Sequence, residues 1–221
     1  MLSISLDPLS AAKQSRQPSH ARSLFPLPRS NHVNPEGHAR PPYADGPVQV
    51  VKGVWIGNEE SVERFDEWVG GAQRGMIVNV AKELEDPFKG QDQEQMERAD
   101  NNSTVRSYAA TEGRPALTYL KLDWTHGETD LASETPYEQS SRSWGFRETI
   151  ERMEQARTAG ISILIHCQCG ISRSATLIIA YVLWLSHRGL VDEDGLKQGA
   201  SMWDANDYVK RKSEWVGPNV S

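Results

Sequence analysis

The apolar positions of the chain change their spacing repeatedly between residues 48 and 212. Short apolar runs predict buried strands, whereas stretches in which apolar residues recur every three or four positions predict helices. Strands that alternate with helices in this way indicate an α/β fold, a parallel sheet with helices on both faces. The predicted strands are 48–56, 76–80, 117–124 and 161–165, and the predicted helices are 59–69, 146–156, 173–187 and 204–212.

Two segments fall outside this alternation. Residues 1–47 hold eight of the twelve prolines and show no sustained period, which predicts a disordered Pro/Ser-rich tail. Their serines, arginines and few acidic residues are also typical of a mitochondrial transit peptide, an alternative that stays open. Residues 85–115 are polar and long for a connection, which predicts a mobile insertion within a folded domain of residues 48–221.

Composition and charge exclude several classes of protein. The net charge of -6 lacks the basic field of a general nucleic-acid binder. The longest apolar run, residues 175–185, is shorter than the roughly 20 residues that a bilayer span needs, so no membrane association is expected. Two cysteines are too few for a disulfide framework, which favours a reducing compartment, so we expect a cytoplasmic and/or nuclear protein.

The segment that joins the strand 161–165 to the helix 173–187 carries the chemistry. In a tight strand–helix turn, successive backbone N–H groups can point into one concavity, and the helix N-terminus adds its dipole, so that an oxyanion such as phosphate can bind. Gly170 permits the curvature, and Arg173 offers a forked guanidinium to two phosphate oxygens. The predicted phosphate-binding residues are Gln168, Cys169, Gly170, Ile171, Ser172 and Arg173.

Cys167 lies at the mouth of this turn. The amides and the arginine that would bind phosphate also stabilise a thiolate, which can attack phosphorus and form a cysteinyl-phosphate intermediate. Ser174 is placed to hydrogen-bond the departing thiolate, and His166 is expected to orient the turn by hydrogen bonding. An inert core cysteine is disfavoured because Cys, Gly, Arg and Ser rarely coincide at this spacing. A metal site is disfavoured because no second cluster of ligands accompanies this one.

Residues 166–174 resemble the signature of cysteine-dependent protein tyrosine phosphatases, and residues 172–176 resemble its dual-specificity branch. Residues 54–57 and 77–80 are similar to the first two strands of that branch, and residues 205–219 to its late helix and the turn beyond. Several of these features resemble fungal members.

This resemblance implies a central, mostly parallel sheet flanked by helices. It implies hydrolysis of phosphotyrosine and phosphoserine/threonine on proteins, without a metal or another cofactor. It assigns Cys167 as nucleophile, Arg173 as phosphate clamp and Ser174 as stabiliser of the thiolate.

The general acid of the family, an aspartate just beyond the third predicted strand, has no direct counterpart. Ungapped alignment puts His126 or Gly127 at its place. Asp130 is the favoured candidate, because it lies on a loop that can swing over the site. Glu128 on the same loop and Asp123 on the strand stay open as alternatives. Asp130 has a competing structural role as the N-cap of a following helix.

The side chains of the predicted loop bear on the substrate. Gln168, Cys169, Ile171 and Ser172 carry no charge, which favours phosphorylated proteins over phosphoinositides or RNA 5′-triphosphates. Cys169 is expected to fill the loop wall as a small apolar residue, with an oxidative disulfide to Cys167 as the alternative. A catalytically weak or inactive phosphoprotein-binding module is the competing function.

Two further features concern partners. Residues 22–27, Arg-Ser-Leu-Phe-Pro-Leu, resemble docking peptides for mitogen-activated protein kinases, so such a kinase is a candidate partner. The family continues beyond Pro218 and Asn219 with an amphipathic helix, whereas this chain stops at Ser221. A truncated C-terminal helix is expected to leave an apolar patch that lowers solubility or is covered by a partner.

Overall fold

Seven strands pair into one sheet within the residues that the structure, a computed structural model, describes: 40–91, 94–99, 103–125, 146–190 and 195–217. The strands are β1 (Val48–Val51), β2 (Val54–Gly57), β3 (Arg74–Ala81), β4 (Glu94–Ala99), β5 (Ser103–Tyr108), β6 (Ala116–Trp124) and β7 (Ser162–His166). Their order across the sheet is β1-β2-β7-β3-β6-β5-β4.

In the described parts of the chain, four α-helices and one 3₁₀ helix accompany the sheet. They are the 3₁₀ helix Glu59–Glu63, α1 (Phe65–Trp68), α2 (Phe146–Thr158), α3 (Arg173–His187) and α4 (Met202–Lys212). Across the described ranges, none of these helices has the length and apolar character that a bilayer span requires.

The four central strands, β2, β7, β3 and β6, run parallel to one another. Ile165 of β7 pairs with Ile56 on one side and with Val78 on the other, so the carboxyl ends of these strands meet at one edge of the sheet. The outer strands are antiparallel, with β1 on β2 and the pair β5–β4 on β6. The predicted α/β fold with a parallel centre and flanking helices is confirmed.

Both faces of the sheet are covered, which explains the continuous apolar runs of the central strands. Ile163 and Ile165 point to one side, where α2 and α3 pack on β7, and we call this side the α3 face. Leu164 points to the opposite side, the α1 face, where Trp68 and Phe88 cover it. The two faces matter for the site, because alternate residues at a strand end are delivered to opposite sides.

The prediction of a mobile insertion at residues 85–115 is wrong where β4 and β5 lie. These strands extend the sheet beyond β6, and Val105 and Tyr108 are buried. The hydroxyl of Tyr108 donates to Asp86 Oδ2 at 2.6 Å, which ties the start of the segment to the sheet. The sequence did not predict this edge hairpin, because its residues are mostly polar and form no apolar run.

The predicted boundary of the tail is wrong for its last eight residues. Residues 40–47 are part of the folded structure, and Tyr43 within them is 2% exposed. The side-chain amide of Asn58 donates to the carbonyl of Pro42 at 3.1 Å. Residues 1–39 lie outside the described residues, so the disordered tail remains a prediction there.

The first predicted helix is broken in two. Asn58 caps it as expected, since its Oδ1 accepts from the amide of Ser61 at 3.1 Å. Arg64 then leaves the helical conformation, with φ -88° and ψ 54°, and separates the 3₁₀ helix from α1. The cap was visible in the sequence, but this break had no glycine or proline to mark it.

Candidate active site

The predicted phosphate loop, residues 167–172, connects the end of β7 to the start of α3 at the carboxyl edge of the parallel strands. Three of its carbonyl groups are hydrogen-bonded from outside the loop. Gln168 O accepts from the Glu59 amide at 3.2 Å, and Ile171 O accepts from the Gly217 amide at 2.9 Å. Gly170 O accepts from the hydroxyl of Tyr43 at 3.1 Å.

These outer contacts determine the direction of the loop amides. No peptide bond in the described structure is cis, and in a trans peptide the N–H and the C=O point in opposite directions. The amides of Cys169, Ile171 and Ser172 therefore point away from the outer partners and toward the inside of the loop. Such a set of convergent N–H groups at a helix N-terminus binds oxyanions.

Gly170 is required by the tightness of this turn. Its φ of +73° lies in the left-handed region, which side chains with a Cβ rarely adopt. A Cβ at this position would stand 2.6 Å from the carbonyl oxygen of Gly57 and 2.3 Å from the ring of Tyr43. The predicted role of Gly170 thus has a direct steric cause.

The sulfur of Cys167 lies inside the loop, and the residue as a whole is 3% exposed. It accepts from the Gly170 amide at 3.2 Å, and Ser174 Oγ lies 3.3 Å away. Both groups can stabilise negative charge on sulfur, as can the N-terminus of α3 that follows. The structure therefore brings together Cys167, Gly170 and Ser174 as the sequence predicted.

Arg173 is buried and its guanidinium is held along one edge. Nη1 donates to Glu83 Oε2 at 2.6 Å and to the carbonyl of Trp124 at 3.2 Å, and Nη2 donates to Glu83 Oε1. The hydrogen bonds of Glu83 raise the pKa of Arg173 further, so the guanidinium stays charged. Nε is buried and has no partner among the described residues, which leaves the other edge of the fork available.

Glu83 is a site residue that the sequence analysis missed. It lies just beyond β3, at the carboxyl edge of the sheet where α/β proteins bind their ligands. Its side chain remains 44% exposed although it pairs with the nearly buried Arg173. An acid directly after a buried parallel strand was the signal that could have found it.

His166 is buried on the opposite side of β7 from the Cys167 sulfur. Its ring lies edge-on to Tyr119, with 6.5 Å between the ring centroids. Neither ring nitrogen meets a hydrogen-bond partner among the described residues, so the predicted orienting bond is not observed there. Burial lowers the pKa of His166 from 6.5 to about 3.

This lowered pKa makes stability depend on pH. The unfolded chain binds a proton at His166 below pH 6.5 and the folded chain does not until about pH 3, so stability falls as the pH drops through this window. Between pH 7 and pH 5 this group removes about 2 kcal/mol of unfolding free energy. Urea unfolding at both pH values is expected to show that loss in wild type and a smaller loss in His166→Gln. His187→Gln, at an exposed position, should keep the wild-type loss, and equal losses in all three would contradict the prediction.

Of the three candidates for the general acid, the structure describes only Asp123. Asp130 and Glu128 lie outside the described residues, as do His126 and Gly127. Asp123 is described, and its Oδ1 lies 3.6 Å from the ammonium of Lys121. Strand alternation puts Asp123 on the α1 face, because its neighbour Trp124 packs into the core of the α3 face. The Cys167 sulfur belongs to the α3 face, so the structure does not bring Asp123 to it.

Cys169 differs from its predicted place. Its side chain is exposed rather than packed into the loop wall, and both cysteines of the chain are free thiols. The uncharged side chains of Gln168 and Ile171 also lie on this loop, the former exposed and the latter partly buried.

Residues 126–221 match the family described as dual specificity phosphatase, catalytic domain. This part of the chain is similar to the catalytic domains of dual-specificity phosphatases. The match contains the whole strand–loop–helix unit from Ser162 to His187, and with it the candidate catalytic residues Cys167, Arg173 and Ser174. The predicted resemblance to this family is therefore confirmed.

Individual relatives agree with this assignment. Tyrosine-protein phosphatase pmp1 of Schizosaccharomyces pombe is 26% identical over 200 residues, 89% of this chain and 58% of pmp1. Tyrosine-protein phosphatase MSG5 of Saccharomyces cerevisiae is 26% identical over 195 residues, 85% of this chain and 29% of MSG5. Dual specificity protein phosphatase 2 of Mus musculus is 38% identical over 76 residues, 34% of this chain and 20% of that protein. The chain thus spans less than two thirds of the length of these relatives, two of which are fungal.

Among solved structures, the crystal structure of human DUSP28 is similar to this chain with a TM-score of 0.49 and 20% sequence identity. The similarity covers 81% of this chain and 89% of that chain.

Proposed function

We propose that this chain hydrolyses phosphotyrosine and phosphoserine/threonine on proteins through a cysteinyl-phosphate intermediate. The observation that supports the proposal most directly is the hydrogen bonding of the Arg173 guanidinium. Glu83 and the carbonyl of Trp124 hold one edge of its guanidinium, while its buried Nε has no partner among the described residues. An unpartnered charged donor beside a ring of backbone amides is suited to a dianionic phosphate.

In the proposed first step, the phosphate group enters the loop and the amides and Arg173 bind its equatorial oxygens. The thiolate of Cys167 attacks phosphorus, so that an S–P bond forms and the P–O bond to the leaving group breaks. A carboxylic acid gives its proton to the leaving oxygen. Each of the loop donors faces charge that develops on the phosphoryl oxygens, which is where fixed donors lower a barrier most.

In the proposed second step, a water molecule attacks the phosphorus of the intermediate and the same carboxylate accepts its proton. The S–P bond breaks, and the electron pair returns to sulfur as a thiolate. Ser174, with its hydroxyl 3.3 Å from Cys167 Sγ, donates to that thiolate as it departs. Inorganic phosphate and the resting enzyme are the products.

Phosphoproteins are the proposed substrates because the loop offers no additional cation to a second phosphate. Gln168, Cys169, Ile171 and Ser172 are uncharged, so Arg173 alone supplies positive charge within the loop. Pmp1 and MSG5 are named tyrosine-protein phosphatases, which supports the same class of substrate.

The test is phosphate release at pH 6–7 in the presence of a metal chelator. The substrates are p-nitrophenyl phosphate, a peptide phosphorylated on both Thr and Tyr, an inositol phosphate and RNA with a 5′-triphosphate. Turnover of the first two, with a phosphate trapped on the Cys167-containing peptide after acid quenching, is the expected result. A folded chain that binds the phosphopeptide without turnover would instead support the binding module, and preference for either of the last two substrates would contradict a protein phosphatase.

Asp130→Asn is expected to identify the general acid. A missing acid costs roughly 10²-fold or more when the leaving group is a poor one, and much less for the activated p-nitrophenolate. We therefore expect a loss on the phosphopeptide that is at least tenfold greater than on p-nitrophenyl phosphate, from the same enzyme preparation.

Glu128→Gln and Asp123→Asn are the matched controls for this measurement. Each removes one carboxylate, and Asp123 is held on the α1 face by Lys121. If Glu128→Gln loses activity mainly on the phosphopeptide while Asp130→Asn stays active on both substrates, Glu128 rather than Asp130 is the general acid.

A mitogen-activated protein kinase is the partner that we propose for this phosphatase. This proposal rests on the sequence of residues 22–27 alone, because these residues lie outside the described residues. The cytoplasmic and/or nuclear location is likewise proposed from the cysteine content alone.

A further inference from the structure

Tyr43 reaches the phosphate loop from a part of the chain that the phosphatase chemistry does not use. Its side chain is buried at 2% exposure, and its ring lies against Gly170. The hydroxyl lies 3.1 Å from Gly170 O and 3.0 Å from Ser213 Oγ. A phenol has one proton, and a carbonyl can only accept, so Tyr43 donates to Gly170 and Ser213 donates to Tyr43.

The segment around Tyr43 is held in an uncommon conformation. Tyr43 has a φ of 60°, and it is the one non-glycine residue of the described structure with a positive φ. The left-handed region is unfavourable for a residue with a Cβ, so other contacts must hold it there. The segment is fixed by hydrogen bonds from Asn58 Nδ2 to Pro42 O at 3.1 Å and from Arg64 Nη1 to Ala44 O at 3.2 Å.

The bond to Gly170 has a consequence inside the loop. The carbonyl of Gly170 and the amide of Ile171 belong to one trans peptide, so holding the carbonyl outward directs the amide inward. The neighbouring carbonyls, of Gln168 and Ile171, are held by backbone amides. Among these three outer contacts, the one from Tyr43 is the only one made by a side chain.

We propose that Tyr43 is a positioning residue of the phosphatase, which aims the Ile171 amide into the oxyanion site by donating a hydrogen bond to Gly170 O. Tyr43 itself does not touch the substrate, because its hydroxyl binds the outer side of the loop. This inference rests on the proposed function, since it assigns a residue that prepares the same oxyanion site.

The test compares Tyr43→Phe with wild type in the full chain. The variant keeps the ring against Gly170 and removes only the hydroxyl. Without its outer partner the 170–171 peptide can rotate, so one loop donor is misaligned. We expect the inhibition constant of tungstate, a non-covalent oxyanion, to rise about tenfold and kcat/KM for p-nitrophenyl phosphate to fall by a similar factor.

Two variants separate positioning from stability. Tyr208→Phe removes another buried hydroxyl, which donates to Val50 O at 3.1 Å on β1, and is expected to lower the melting temperature without changing tungstate inhibition. Ser213→Ala removes the second partner of Tyr43 but leaves the bond to Gly170, so tungstate inhibition should stay near the wild-type value. Tungstate inhibition in Tyr43→Phe equal to that in Tyr208→Phe would overturn the proposal.

A measurement on the wild-type chain gives an independent answer, even if Tyr43→Phe does not fold. In ¹⁵N-labelled protein, added tungstate is expected to move the Ile171 amide proton strongly downfield, because that amide donates to the oxyanion. An Ile171 amide that does not respond while tungstate binds would overturn the role of Tyr43 and leave the phosphatase proposal standing. A wild-type chain that neither binds tungstate nor releases phosphate would overturn both.

Discussion

Replacing Cys167 by serine is expected to lower phosphate release by more than about 10⁴-fold on every substrate, with no phosphate trapped on the protein. The cause is the loss of the sulfur that Gly170 and Ser174 surround at 3.2 and 3.3 Å. A serine hydroxyl remains protonated in this setting, and it has neither a base to activate it nor the low ionisation cost of a thiol. The amides of the loop are unchanged, so a phosphopeptide should still bind, and calorimetry on the variant measures that binding.

Cys169→Ser is the matched control, because it makes the same substitution two residues further along the same loop. The Cys169 side chain is exposed, whereas the Cys167 sulfur is enclosed. The backbone amide at 169 is retained in the variant, so we expect a loss below about tenfold, far smaller than for Cys167→Ser. Equal losses in the two variants, or residual turnover in Cys167→Ser within tenfold of wild type, would contradict a nucleophilic role of Cys167.

The centre of the fold could be predicted because the central strands are buried on both faces. The apolar runs at 76–80 and 161–165 correspond to β3 and β7, and the apolar helix at 173–187 matches α3. The edge hairpin β4–β5 could not be predicted in this way. Val105 and Tyr108 of β5 are buried, but both strands consist mainly of polar residues, and strand pairing at an edge depends on the neighbouring β6 rather than on an apolar run.

The candidate site likewise has a part that the sequence predicted and a part that it did not. Its loop is one contiguous segment, so the spacing of Cys167, Gly170, Arg173 and Ser174 was visible in the sequence. Glu83 and Tyr43 meet that loop from 90 and 127 residues away, and only the fold brings them there. Neither residue belongs to a local motif: the position of Glu83 just beyond a buried parallel strand is a weak signal, and Tyr43 has no comparable one.

Arg173→Lys is expected to lower kcat/KM for p-nitrophenyl phosphate by about 10³-fold, although it preserves the positive charge. The guanidinium uses one edge for Glu83 and the carbonyl of Trp124 and keeps its Nε edge for the substrate. A lysine ammonium is a single point with three donors, so it cannot satisfy Glu83 and also present two parallel N–H groups to phosphate. Its shorter reach would also draw it toward the carboxylate of Glu83, away from the loop.

Arg188→Lys at the other end of α3 is the matched control for this substitution. Arg188 stacks over Trp184, with 4.8 Å between the guanidinium carbon and the ring centroid, and it has no contact with the phosphate loop among the described residues. We expect its kcat/KM to equal that of wild type when the two variants are measured by the same phosphate-release assay, with thermal melting as a check of folding. Because both variants replace arginine by lysine and keep the charge, a large loss confined to Arg173→Lys must come from the forked geometry at the phosphate loop rather than from charge. A folded Arg173→Lys variant with activity within tenfold of wild type would show that charge alone suffices, and the proposed role of the open Nε edge would then be wrong.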